Sequence, residues 1–195
     1  MPAPVDHEAR RADVAEAVWR VLARTGFDGL SLRAVATELG ATTGLVTHYF
    51  PHREVLVRHA LDLLHERSDA RLAPLAAGLS GLEALRARLV GLVSDDDETM
   101  VLSRIWVSFW GPALADPDLR DREAVRYVRW RSVLGPLVVE ALDRGELAPA
   151  DPQAVVDVLT SCTHGLVVQV LVDPAAFPLA RREAALDLVL ASLAP

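Results

Sequence analysis

The side chains best placed for chemistry in this sequence are hydrogen-bond donors rather than nucleophiles. The candidate DNA-contacting set is Ser31, Arg33, Thr42, Thr43, Thr47, His48, Tyr49 and Arg53, with Gly44 among them. An arginine fork can grip a guanine edge or a phosphate. The threonines offer hydroxyls and methyl groups, His48, Tyr49 and Arg53 can hold phosphates, and Gly44 permits close approach. This set suits non-covalent reading of double-stranded DNA. A second set is aromatic. Trp106 and Trp110 are four residues apart and Tyr127 and Trp130 three apart, so each pair shares a face if its segment is helical. Such rings wall a pocket for a flat apolar molecule or, through cation–π attraction, for a quaternary amine; the same rings also fill cores. No nucleophile elbow, phosphate loop, HExxH or dinucleotide fingerprint occurs, so no catalytic residue is assigned, and neither an enzyme nor a cofactor is expected. His48, His52, His59 and His65 match no standard ligand spacing, and no metal site is expected.

The first set needs two short helices and a tight turn to hold it. In Ser31–Phe50, SLRAVATELGATTGLVTHYF, Ser31 can cap a first helix by accepting a backbone N–H. Leu32, Val35, Ala36 and Leu39 then form one apolar face. Gly40 stands where a helix end favours φ > 0, Thr42 or Thr43 can cap a second helix, and Pro51 stops it. Two such helices at a steep angle form a helix-turn-helix, whose second helix enters a major groove N-terminus first. An ordinary helical corner with a polar outside is the other reading of shape alone.

The detailed order of residues goes further. Leu-Arg-x-Val-Ala-x-x-Leu-Gly, then Gly-Leu-Val-x-His-Tyr-Phe-Pro, then Arg-Glu-x-Leu, over about residues 10–65, resembles the TetR family of transcriptional regulators. Two positions depart from it: His52 stands where the family usually has a small capping residue, and Arg53 where it usually has lysine. From about Ile105 to Pro174 the chain is similar to the BetI-like branch of that family. A Trp-rich helix is followed by Ala-Asp-Pro-Asp-Leu, an Arg/Tyr-rich helix, Gly-Glu-Leu before Asp-Pro, and a His-Gly in the penultimate helix. The resemblance implies a helical effector and dimerisation domain. The namesake of the branch responds to choline, which makes a choline-like ligand one option here beside an apolar or aromatic one.

Composition agrees with a helical, DNA-contacting head on an acidic body. The 195 residues carry a net charge of −7, which argues against non-specific nucleic-acid binding by the whole surface. Residues 1–67 hold eight Arg against nine acidic residues, and 68–195 twelve against eighteen, so the excess of acid lies in the second part. Every basic residue is arginine. The lone Cys162 fits a reducing compartment. The opening MPAPVDHEARR lacks a signal-peptide core, and the most apolar run, Gly165–Val172, is too short to span a bilayer. A cytoplasmic protein without membrane association is expected.

The expected fold is all-α, with about nine helices: a three-helix DNA-binding domain over 1–52 and a helical effector-binding and dimerisation domain over 53–195. Residues 1–6 are expected to fray before a helix from His7 to Arg24. Further helices are expected over Arg53–Leu75, Leu82–Val93, Glu98–Ala115, from Asp116-Pro117 to about Arg144, Pro152–Val172 and Leu179–Leu193. Asp95–Glu98 should cap a helix start. Gly111-Pro112 should bend or end its helix, and Gly135-Pro136 should kink the next. The last two helices are expected to pair with their two-fold copies through Val156, Leu159, Thr163, Val167, Leu171, Leu186, Val189 and Leu190. The expectation is a homodimeric repressor, released from operator DNA by a small-molecule effector. A regulator acting through a protein partner without a ligand is the alternative.

Overall fold

Backbone donors and acceptors at helix ends decide where the elements of this protein begin and stop. The computed structural model describes residues 4–195, with side chains from residue 12 onward. Among the described residues there are nine α-helices: α1 (Pro4–Thr25), α2 (Leu32–Leu39), α3 (Thr43–Tyr49), α4 (Arg53–Leu72), α5 (Gly81–Leu92), α6 (Asp97–Ala115), α7 (Pro117–Asp143), α8 (Pro152–Val172) and α9 (Leu179–Ser192). The all-α fold is as expected. The first helix opens at Pro4 rather than His7, proline being well suited to the first helical position. The expected fraying is therefore corrected for 4–6, and 1–3 lie outside the described residues. α4 stops at Leu72, short of the expected Leu75, and Ala73–Ala76 closes as a 3-10 turn. Pro74 supplies no N–H to continue the α-helical ladder.

By compactness the chain forms two units that do not follow the expected boundary at 52/53. One runs up to Ser68 and includes Arg104–Pro112 of α6; the other comprises Asp69–Ser103 and Ala113–Pro195. In the first unit α2 packs on α1 and on α3. Its core holds Val14, Val18 and Leu22 of α1, Val35 of α2, Val46 of α3, Leu56 and Leu64 of α4, and Ile105 and Phe109 of α6, all buried. The turn after α1 needs Gly26, whose φ is +64°, a conformation that costs other residues a clash with Cβ.

In the second unit α5 packs against α7, α8 and α9, and α8 lies between α7 and α9. The start of α5 is held from a distance. Its Leu82 N–H donates to a carboxylate oxygen of Glu146 at 2.7 Å, while Ser80 makes no side-chain cap. The start of α6 is capped as the acidic run suggested. Asp96 accepts from Thr99 N at 3.0 Å and Thr99 Oγ1 at 2.9 Å, and is paired with Arg71. Burial pushes the Asp96 carboxyl up, but the hydrogen bonds from Thr99 and the Arg71 contact outweigh it and hold the group well below the usual range. α6 does not end at Gly111-Pro112; it continues to Ala115, and α7 likewise runs unbroken past Pro136 to Asp143. Arg182 of α9 is 1% exposed. It donates to the Val93 carbonyl at the end of α5, and its guanidinium lies 3.8 Å from Asp95, so its charge is paired rather than stranded.

Candidate nucleic-acid interface and effector residues

The turn between α2 and α3 is built as its residues dictate. Ser31 Oγ accepts from Ala34 N at 3.1 Å, so Ser31 is spent on capping α2. Gly40 (φ +62°) ends α2, and Ala41 N donates back to Ala36 O at 2.9 Å. Thr42, not Thr43, caps α3, accepting from Leu45 N at 3.4 Å. Thr47 donates to Gly44 O at 3.0 Å. What remains outside is Arg33, Thr42, Thr43, Gly44, His48 and Arg53, all exposed, with Thr47 and Tyr49 half-buried and the Tyr49 ring edge-on to His48. At the start of α4 the His52 carbonyl accepts from Val55 N and Leu56 N.

One brace of this head escaped the sequence reading. Glu38 of α2 receives Arg20 Nε at 2.7 Å and Arg24 Nη1 at 2.8 Å. Both arginines stand four apart on α1, which was the available signal. Their hydrogen bonds, Arg20 first and then Arg24, hold the Glu38 carboxyl below its ordinary value.

The four aromatic residues do not share one unit. Trp106 and Trp110 belong with the head. Trp106 donates its indole N–H to Ser68 Oγ at 3.1 Å, and its ring lies 5.0 Å from that of His65. Tyr127 and Trp130 belong to the second unit, at the seam of α7 and α8. Trp130 donates to Thr160 Oγ1 at 3.1 Å, and the Tyr127 hydroxyl lies 3.3 Å from His164 Nδ1. Beside them Arg126 sits 4.4 Å from the Tyr127 ring centre and binds Glu123 through Nε at 2.9 Å. Both partners of that pair are nearly buried. This nearly buried acid–base pair stands beside the half-buried His164 imidazole. Glu123, Arg126 and His164 lie outside the set of aromatic residues that the sequence points to. The i, i+3 spacing of Glu123 and Arg126 and the His-Gly of α8 were the legible signals.

His164 is held down to about 4, chiefly by burial and secondly by the Arg126 charge. Its folded value lies below its unfolded one, so between about pH 6.5 and 4 the unfolded chain binds the extra proton and stability falls as pH falls. Urea unfolding at pH 7 and pH 4.5 should show a loss on the order of 2–3 kcal/mol from this residue. A His164→Gln protein should lack that share of the loss; an identical pH dependence in both proteins would show that His164 is not the group responsible.

Two family matches span most of the chain. Residues 14–60 match the family described as bacterial regulatory proteins, tetR family, and residues 81–195 the BetI-type transcriptional repressor C-terminal domain. The chain belongs to the TetR family. It is 29% identical over 177 residues to the HTH-type transcriptional regulator PksA of Bacillus subtilis, covering 89% of this chain and 84% of that one. A TetR-family regulator from Rhodococcus sp. superposes with a TM-score of 0.82 at 25% identity, over 95% of this chain and 98% of that one. A transcriptional regulator from Saccharomonospora viridis, solved in complex with choline, shares the fold with a TM-score of 0.78 at 23% identity, over 95% and 96% of the two chains. TetR-family proteins are transcriptional regulators, not enzymes. Among the described residues no group of three or more His, Cys, Asp or Glu side chains is placed to hold a metal ion.

The α8 and α9 positions expected to form a dimer face in this TetR-family chain are largely occupied already. Val156, Leu159, Thr163, Val167, Leu186 and Leu190 are buried within the single chain, and Leu171 and Val189 are half-buried. The outer side of α8 instead carries Ala154, Val158, Ser161 and Gly165, and that of α9 carries Arg181, Ala184, Leu188 and Ala191, all exposed. Each series advances by alternating steps of three and four residues, the spacing of a helix–helix seam.

Proposed function

We propose that this TetR-family protein is a cytoplasmic repressor that binds a near-palindromic operator as a homodimer and leaves it when a small molecule binds the α5–α9 region. The observation that carries the DNA-reading part is the capped turn. Ser31, Gly40 and Thr42 satisfy the helix ends, while Arg33, Thr43, Gly44, His48 and Arg53 stay exposed around the start of α3 and its flanks. In this reading Arg33 and Thr43 contact bases, and Thr42, Thr47, His48, Tyr49 and Arg53 position the phosphates. Two heads then meet successive major grooves, about 34–36 Å apart or a multiple of it.

The dimer surface assigned is the outer seam of α8 and α9, with small residues that let helices approach. The effector is an apolar or aromatic small molecule met by Tyr127 and Trp130, with Trp106 and Trp110 on α6 responding to it. Glu123 is already paired with Arg126; the choline bound by the Saccharomonospora viridis protein makes quaternary amines the first class to screen. The effector must prefer the DNA-incompetent state, or it shifts nothing.

The test of DNA reading is a mutant series on a duplex selected from a random-sequence pool by the wild-type protein. Arg33→Ala and Thr43→Ala should each relax preference at particular positions and cost about 1–3 kcal/mol. Arg53→Ala and Tyr49→Phe should weaken all sequences alike, and Arg53→Ala should flatten the salt dependence by about one unit of slope. An unchanged slope for Arg53→Ala would remove it from the phosphate contacts, and intact preference at every position in Arg33→Ala would make that residue a surface charge.

A further inference from the structure

The outer face of α3 is unusual in what it lacks. The helix reads Thr-Gly-Leu-Val-Thr-His-Tyr. It holds no Arg, Lys, Asn or Gln, the side chains that grip guanine or adenine by hydrogen bonds in the major groove. Val46 is fully buried and seats the inner side of the helix, while Thr43, Gly44 and His48 stay exposed. The hydroxyls of Thr42 and Thr47 are engaged locally: Thr42 accepts from Leu45 N as the cap, and Thr47 donates to Gly44 O at 3.0 Å. Thr43 takes no part in the cap and offers its methyl group to the outside. Gly44 is the second absence. Its φ is not in the left-handed region, so its backbone conformation does not require glycine. Apart from the helix's own backbone, a Cβ built there would meet only Thr42 Oγ1, at 3.8 Å, so no neighbouring group requires it either. Glycine in a helix is destabilising relative to alanine. The bare Cα of Gly44 therefore weakens α3 without serving any contact inside the chain.

Thymine alone among the four bases carries an apolar group, its C5 methyl, into the major groove, and a threonine methyl is one of the groups that meets it. We propose that Gly44 is a specificity-determining residue: its bare Cα, beside the Thr43 side chain, receives the methyl group of one thymine in each operator half-site. The inference rests on the DNA-reading assignment of α3 and adds to it the base that is read and the means of reading, an apolar contact rather than a hydrogen bond. Gly44→Ala would place a methyl group in the space that the thymine methyl fills. On a base without that methyl, the added group becomes a filler instead of an obstruction.

The probe is a duplex selected from a random-sequence pool by the full-length wild-type protein, with its thymines replaced one at a time by deoxyuridine. That replacement deletes the C5 methyl and keeps the hydrogen-bonding groups of the base. At one thymine per half-site it should weaken the wild type about fourfold, the effect of one buried methyl-sized group. Gly44→Ala should bind the thymine duplex more weakly than the wild type does. When that same thymine becomes deoxyuridine, its affinity should recover to within about twofold of the wild type's on that duplex. Its melting temperature should stand at or above the wild type's, which separates the loss on thymine from a loss of folding. Thr43→Ser keeps the hydroxyl and leaves the Thr42 cap untouched; it should lose most of the difference between thymine and deoxyuridine at that position. A selected half-site without thymine, a wild type indifferent to every replacement, or a Gly44→Ala protein weakened equally on both duplexes overturns the proposal and leaves the regulator reading intact. If the wild type selects no duplex, the regulator reading falls, and this proposal with it.

Discussion

A Val158→Glu, Leu188→Glu double variant should sediment as a folded monomer and bind the selected duplex about 10²–10⁴-fold more weakly than the wild type, because each head then binds without the effective concentration supplied by its partner. Val158 is 49% exposed and Leu188 72% exposed in the single chain, so charges there disturb no internal packing. Val167→Glu is not an equivalent test. Val167 is buried among its own chain's helices, and a carboxylate there costs folding before it costs assembly. Sedimentation, a melting curve and a binding isotherm on one preparation decide the matter. A double variant that stays dimeric with wild-type affinity would place the partner surface elsewhere.

Phe109→Ala should be the most destabilising single truncation in the head, at about 3–5 kcal/mol, the range for emptying a buried phenylalanine site. Phe109 is 0% exposed and its partner Phe27 2%. A cavity there also removes the ring contact that seats α6 on the turn after α1. Val125→Ala is the control, since Val125 is 67% exposed and surface truncations are usually neutral. Urea unfolding of both would measure the difference, and a Phe109→Ala loss below about 1 kcal/mol would mean the surrounding side chains collapse into the space.

The head was readable in the sequence because its signals are local. Ser31, Gly40 and Thr42 each act on backbone groups within five residues, and the helices they bound fall where those residues stand. Asp151-Pro152 and Asp116-Pro117 announced α8 and α7 for the same reason. What failed to show was non-local or ambiguous in period. Glu146 caps a helix 64 residues earlier, and Ser108 accepts from a backbone amide 81 residues away; nothing near either residue announces that partner. α8 is apolar over much of its circumference, so periodicity could not say which stripe meets its own chain and which remains outside. The larger side chains of α8 are the ones the single chain buries, leaving Ala154, Val158, Ser161 and Gly165 outside. The aromatic pairs on α6 and α7 were correctly placed on helices, but spacing along one helix carries no information about which compact unit each pair joins.

The inclusion of Arg104–Pro112 in the same compact unit as the DNA-reading helices bears on how such regulators can be recombined. A head exchanged as an amino-terminal cassette ending at Ser68 would leave behind Ile105, Ser108 and Phe109, and with them the ring against Phe27 and the acceptor for its amide. A functional graft must carry a matching insert in the recipient's sixth helix, so the unit of exchange is two separated stretches of gene. Point changes that retune the head are then constrained by a segment some eighty residues downstream, and drift in either stretch is tolerated only with compensation in the other.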